Sequence, residues 1–162
     1  MKAAINAAVI SLLVLSAACS NRSRRPAGED NAGIDSLNAR LSQAYREKDP
    51  QMYGTLFTDS AVFEWPAFTT VRGRAGMERM ARTNWASLND MDLRLNVVSR
   101  RFADDHATEF GAFEQSFRDS QGARMKEFGR YVHVLSRQGD DTWRIDRFFG
   151  FSDSTRQVPT RP

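Results

Sequence analysis

The sequence predicts an α+β fold in which a curved antiparallel sheet wraps around N-terminal helices as a cone. Two observations carry that expectation. Helical periodicity is confined to the first half of the chain, and the second half is a succession of strand-like segments parted by turn signals. A third sets the scale: 162 residues with 41% hydrophobic content suit one domain with a real core.

The first residues stand apart from the fold. Lys2 gives a minimal positive region, and AAINAAVISLLVL is an apolar run too short to span a bilayer. SAA then precedes Cys19, the single cysteine of the chain, so residues 1–18 read as a signal peptide cut just before it. LSAAC resembles the lipobox of bacterial lipoproteins, which implies lipidation of Cys19. It departs from the pattern at Ser16, where a leucine is usual. A lone free thiol on an exported chain is awkward, and lipid attachment removes it. An ordinary cleavage site with an incidental cysteine is the alternative. Ser20 after the cysteine implies, by the same resemblance, the outer membrane facing the periplasm. Residues 19–33, rich in Ser, Arg, Gly and Asn, read as a flexible tether.

From Ile34 the pattern becomes helical. Ile34, Leu37, Leu41, Ala44 and Tyr45 share one face, with Asp35, Asn38, Arg40 and Arg46 on the other, to about Lys48. Asp49-Pro50 is an N-cap followed by a proline at the first helical position, opening a short second helix with Met52, Tyr53, Leu56 and Phe57. Thr58-Asp59-Ser60 reads as a turn. Ala61 to Trp65 alternates as a strand closed by Pro66, with Ala61, Phe63 and Trp65 on one face. Gly73 precedes a third helix over about Ala75 to Leu88, turning Met77, Met80, Ala81, Asn84 and Trp85 inward.

Four strands complete the domain. Met91, Leu93, Leu95 and Val97 alternate with polar residues, and Asp104-Asp105 marks a turn. In the next strand, about Ala107 to Arg118, the spacing of Phe110, Phe113 and Phe117 breaks the period of two, which predicts a β-bulge near Gly111. Further strands are expected over about 124–137 and 142–151, with residues 153–162 as a loose tail.

This order resembles the nuclear transport factor 2-like superfamily, in its SnoaL-like and ketosteroid-isomerase-like branches, over residues 34–152. The carriers are the Asp49 helix start, LFTDSAVFEWP (56–66), Gly73, and GRYVHVLSRQGDDTWRI (129–145). The isomerase branch uses a tyrosine in the first helix and an aspartate at the end of the first strand. Leu41 and Trp65 fill those places here, so the resemblance implies the fold without the steroid-isomerase dyad. The second oxyanion acid of that branch falls near His133.

With Trp65 inward, strand alternation sends Glu127, Tyr131, His133 and Leu135 inward as well. The expected cavity holds Tyr45, Phe63, Trp65, Trp85, Tyr131 and His133, a wall suited to a hydrophobic or aromatic small molecule. His133 is the catalytic candidate by its ordinary pKa, with Glu127 as its acid–base partner. A satisfied core histidine is the bland reading of the same residue. His106 and Glu109, three apart on opposite strand faces, do not make a metal site, and no glycine-rich phosphate loop follows a strand. No cofactor is expected. The net charge of +3 is carried by scattered arginines, which excludes a clustered nucleic-acid-binding stripe.

The outward face of the long strand carries Phe128, Val132 and Val134, which calls for a cover and suggests a sheet-to-sheet homodimer. Three functions follow from these residues: an envelope module binding a small molecule, a cyclase, isomerase or hydratase using His133, or an assembly partner using the sheet face.

Overall fold

The computed structural model describes residues 27–66 and 68–159. The expected signal peptide and Cys19 lie outside the described residues. Three helices and six strands follow in the order α1 (Ala27–Glu47), α2 (Pro50–Thr55), β1 (Phe57–Glu64), β2 (Val71–Arg72), α3 (Gly73–Trp85), β3 (Asn89–Ala103), β4 (His106–Arg118), β5 (Arg124–Arg137) and β6 (Trp143–Gln157). The strands form one curved, unclosed sheet in the order β2-β1-β6-β5-β4-β3. This is the α+β cone expected from the sequence, with one parallel pairing, β1 with β6, in an otherwise antiparallel sheet.

Helix α1 buries Ile34, Leu37, Leu41, Ala44 and Tyr45 against the concave side of the sheet. Each large apolar side chain so buried contributes about 1.5–3 kcal/mol. The helix starts seven residues before the expected Ile34, so residues 27–33 belong to the domain and not to the tether. Tertiary contacts hold this added segment: Arg137 Nη1 donates to Asp30 Oδ1 at 3.0 Å, and Arg100 Nη1 donates to Asn31 Oδ1 at 3.0 Å. The Asp49 cap forms as expected, its side chain accepting from the Met52 amide at 2.9 Å.

Three local readings are corrected. Thr58-Asp59-Ser60 lies within β1 and makes no turn. Ile145 N donates to Leu56 O at 2.9 Å and Thr58 Oγ1 donates to Asp146 Oδ1 at 3.0 Å, so pairing with β6 overrides turn propensity. Strand β4 pairs with β5 residue for residue, without a bulge at Gly111. The uneven phenylalanine spacing arises because Phe110 faces outward, 40% exposed, while Phe113 faces in. The extra residue sits across the ladder in β3, between Val97 and Ser99, where Val98 is 73% exposed. Strand β6 continues to Gln157, paired with Met125, so residues 153–157 are sheet and not loose tail.

Candidate functional site

The cone encloses a cavity of about 710 Å³. Helices α1 and α3 close one side with Leu41, Tyr45, Met80, Ala81, Asn84 and Trp85. The sheet supplies Phe63, Leu93, Leu95, Phe113, Gln115, Phe117, Glu127, Tyr131 and Phe148, and Trp65 adds to the wall just after β1. Trp65 lies flat because Gly150 faces it: a Cβ there would fall 2.2 Å from the indole. Phe63, Phe148 and Trp65 form a stack, with Phe63 4.8 Å from Phe148 and 6.2 Å from Trp65 between ring centroids. Tyr45 meets Trp85 edge-on at 5.5 Å.

One polar chain enters this apolar wall. Gln115 of β4 and Glu127 of β5 are direct cross-strand neighbours. Tyr45 Oη donates to Gln115 Oε1 at 2.7 Å, and Gln115 Nε2 donates to Glu127 Oε2. Burial raises the Tyr45 phenol above its ordinary range, with the charge of Glu127 and the nearby Tyr53 adding to it, so the hydroxyl remains a donor. The network fixes the amide orientation, since the flipped Gln115 would set its oxygen against the carboxylate. Gln115 escaped attention in the sequence, although it shares the inward parity of Phe113 and Phe117.

A second polar cluster lies behind the wall. Glu109 is fully buried and receives four hydrogen bonds: Asn38 Nδ2 at 2.9 and 3.1 Å, Arg100 Nε at 2.6 Å, and Tyr131 Oη at 3.0 Å. Arg100 also donates to Asp35 Oδ1 at 2.6 Å. Burial by itself would raise the Glu109 carboxyl, but the nearby His133 imidazole and the donors Asn38 and Arg100 outweigh it and hold it down at about 2. Asn38, placed on the outer face of the first helix by periodicity, is in fact buried in this cluster.

The structure separates the expected pair His133 and Glu127. They share the inward face of β5, but six residues of extended strand part them by about 20 Å. Glu127 is on the cavity wall, and His133 is not among the lining residues. The acid beside His133 is Glu109, with Nδ1 to Oε1 at 3.5 Å, beyond hydrogen-bond reach. Among the described residues, both imidazole nitrogens are buried without a hydrogen-bond partner. The ring packs 4.4 Å from Tyr131 and 4.8 Å from Phe148. Burial is the largest influence on it and lowers its pKa, against the opposing pull of Glu109, so it sits neutral in the core. Of the other predicted site residues, Tyr45, Phe63, Trp65, Trp85 and Tyr131 are all on the cavity wall. Leu41 and Trp65, which the resemblance to the isomerase branch set in the places of its dyad, also line the cavity. No group of three or more metal-ligating side chains converges among the described residues.

Comparison with known proteins places the fold. The profile of the SnoaL-like domain matches residues 27–148. No curated protein matches the chain by sequence. A putative aromatic ring hydroxylase from Novosphingobium aromaticivorans superposes with a TM-score of 0.75 at 19% identity, covering 83% of this chain and 96% of its own. A putative scytalone dehydratase from the same organism gives 0.74 at 13% identity, covering 83% and 91%. The LinA-type3 hexachlorocyclohexane dehydrochlorinase of Novosphingobium barchaimii gives 0.73 at 14% identity, covering 84% and 97%. At these identities the likeness is one of fold.

Proposed function

The chain belongs to the SnoaL-like domain family, and from that premise we propose that it is a small-molecule-binding module whose cone takes a flat hydrophobic or aromatic ligand. The observation that carries this reading is the cavity wall: stacked aromatic rings interrupted by one hydrogen-bonded chain, Tyr45–Gln115–Glu127. Similar folds named as a hydroxylase, a dehydratase and a dehydrochlorinase support a small-molecule role. The enzymatic alternative through His133 is disfavoured. Catalysis needs at least two titratable groups converging on one ligand atom, and His133 lies behind the wall beside a carboxylate already held by four hydrogen bonds.

In this proposal residues 1–18 export the chain and Cys19 carries a lipid that tethers it to the outer membrane, facing the periplasm. A second copy would cover the outer side of the sheet. Exposed Phe110 and Phe151, with half-buried Phe128, Val132 and Val134 between them, support that occupant.

The cavity is tested with the neutral fluorophore N-phenyl-1-naphthylamine. Wild-type protein should enhance its emission saturably, and Leu95→Trp, which fills the cavity from β3, should weaken binding at least tenfold while the far-ultraviolet circular dichroism is unchanged. Equal binding by a folded Leu95→Trp variant would place the probe elsewhere and sink the proposal.

A further inference from the structure

The polarity of the Tyr45–Gln115–Glu127 chain has a direction. The Tyr45 hydroxyl proton is committed to Gln115, and one amide proton of Gln115 is committed to Glu127. The chain therefore ends, at the cavity wall, on a carboxylate with one oxygen, Oε1, still open as an acceptor. Nothing on the wall neutralises it: among the described residues that line the cavity there is no lysine, arginine or histidine, and Glu127 is the one acidic side chain. Its neighbours cannot supply a proton donor of comparable strength. Lys126 points to the opposite face of the sheet and pairs with Glu114, while Thr155, opposite Glu127 on β6, is neutral.

The same wall carries aromatic side chains. Tyr45, where the polar chain begins, meets Trp85 edge-on on the helical side, and Phe117, two residues along β4 from Gln115, lines the same wall. A carboxylate in an aromatic-lined cavity attracts a cation by a charge-assisted hydrogen bond, and any ring that turns its face to the cation adds to that attraction. It repels an anion, and it gives a neutral ring compound only the apolar part of the contact.

We propose that the ligand of this cavity is a hydrophobic amine carried as its cation, with the ammonium group on Glu127 Oε1 and the apolar body against Trp65, Phe113 and Phe148. This rests on the cavity reading above and narrows it to a class of ligand. Gln115 and Tyr45 are positioning residues: they hold the carboxylate in one rotamer and leave its free oxygen toward the cavity.

Three probes of one shape and different charge test it: 1-naphthylmethylamine, 1-naphthalenemethanol and 1-naphthoic acid, each titrated at pH 7 by tryptophan fluorescence. Wild-type protein should bind the amine at least tenfold more tightly than the alcohol and the acid weakest of the three. Glu127→Gln should bring the amine to within about threefold of the alcohol, the alcohol's own affinity barely changing. Equal affinity for amine and alcohol in the wild type, or discrimination that survives Glu127→Gln, overturns the amine assignment while leaving the cavity reading intact. Binding of none of the three overturns both. The wild-type comparison decides the matter even if the variant fails to fold.

Discussion

Replacing Glu109 by glutamine removes one charge from a site where three side chains, Asn38, Arg100 and Tyr131, donate four hydrogen bonds. Oε1 faces Asn38 and Tyr131, and Oε2 faces Arg100 and Asn38. A carboxamide must turn its NH2 toward one of these pairs. The tolerable choice is the Tyr131 side, because that hydroxyl can rotate to accept. Arg100, whose side chain is 9% exposed, then keeps Asp35 but loses its buried counter-ion. Breaking a buried pair costs about 3–5 kcal/mol, and the surviving Asp35 contact argues for the lower end. We expect Glu109→Gln to lose about 3 kcal/mol in urea unfolding at pH 7, followed by tryptophan fluorescence, and roughly 10 °C in Tm. Because the folded pKa is depressed, the wild-type advantage is complete above pH 4.5 and fades as pH falls toward 2. The two unfolding curves should converge over that window. A loss below about 1 kcal/mol at pH 7, or a difference that does not change between pH 5 and 2.5, refutes the picture of an ionised, fully engaged Glu109.

Other consequences are separable. His133 is neutral in the core with its pKa lowered, so its contribution is present above the ordinary value of 6.5 and is lost as pH falls, when the unfolded chain takes up a proton first. His133→Phe should match or exceed wild-type stability at pH 7 and lose less between pH 7 and 5; parallel losses in the two proteins would show that the imidazole does not titrate in this way. Val132→Lys, on the outer sheet face between Phe110 and Phe149, should convert a dimer to a folded monomer by light scattering at micromolar concentration. A monomeric wild type would end the proposal of a second copy. Cys19→Ser should abolish labelling by radioactive palmitate in the expressing cells, and an unlabelled wild type would leave only ordinary cleavage at that site.

Much of the fold was legible because local patterns carried it. The apolar stripe Ile34, Leu37, Leu41, Ala44 and Tyr45 is buried as its spacing requires, Asp49 caps α2, and the inward parity of Glu127, Tyr131, His133 and Leu135 is that of the strand. Parity also sufficed to bring Tyr45, Phe63, Trp65, Trp85 and Tyr131 to one wall. Parity alone made His133 and Glu127 look like partners; the six residues of extended strand between them set them too far apart for that.

By itself, then, the sequence determined the helix faces, the strand alternation, the cone and the residue types that line it, since each follows from neighbours a few positions apart. The pairings that give the site its chemistry were decided only in the folded chain. Asn38 meets Glu109 across 71 residues, Tyr45 meets Gln115 across 70, and Arg100 turns inward because a carboxylate on the adjacent strand awaits it. Hydrogen bonds over such separations have no local signature: the sheet register brings the groups together, and burial then sets which of them keeps its charge.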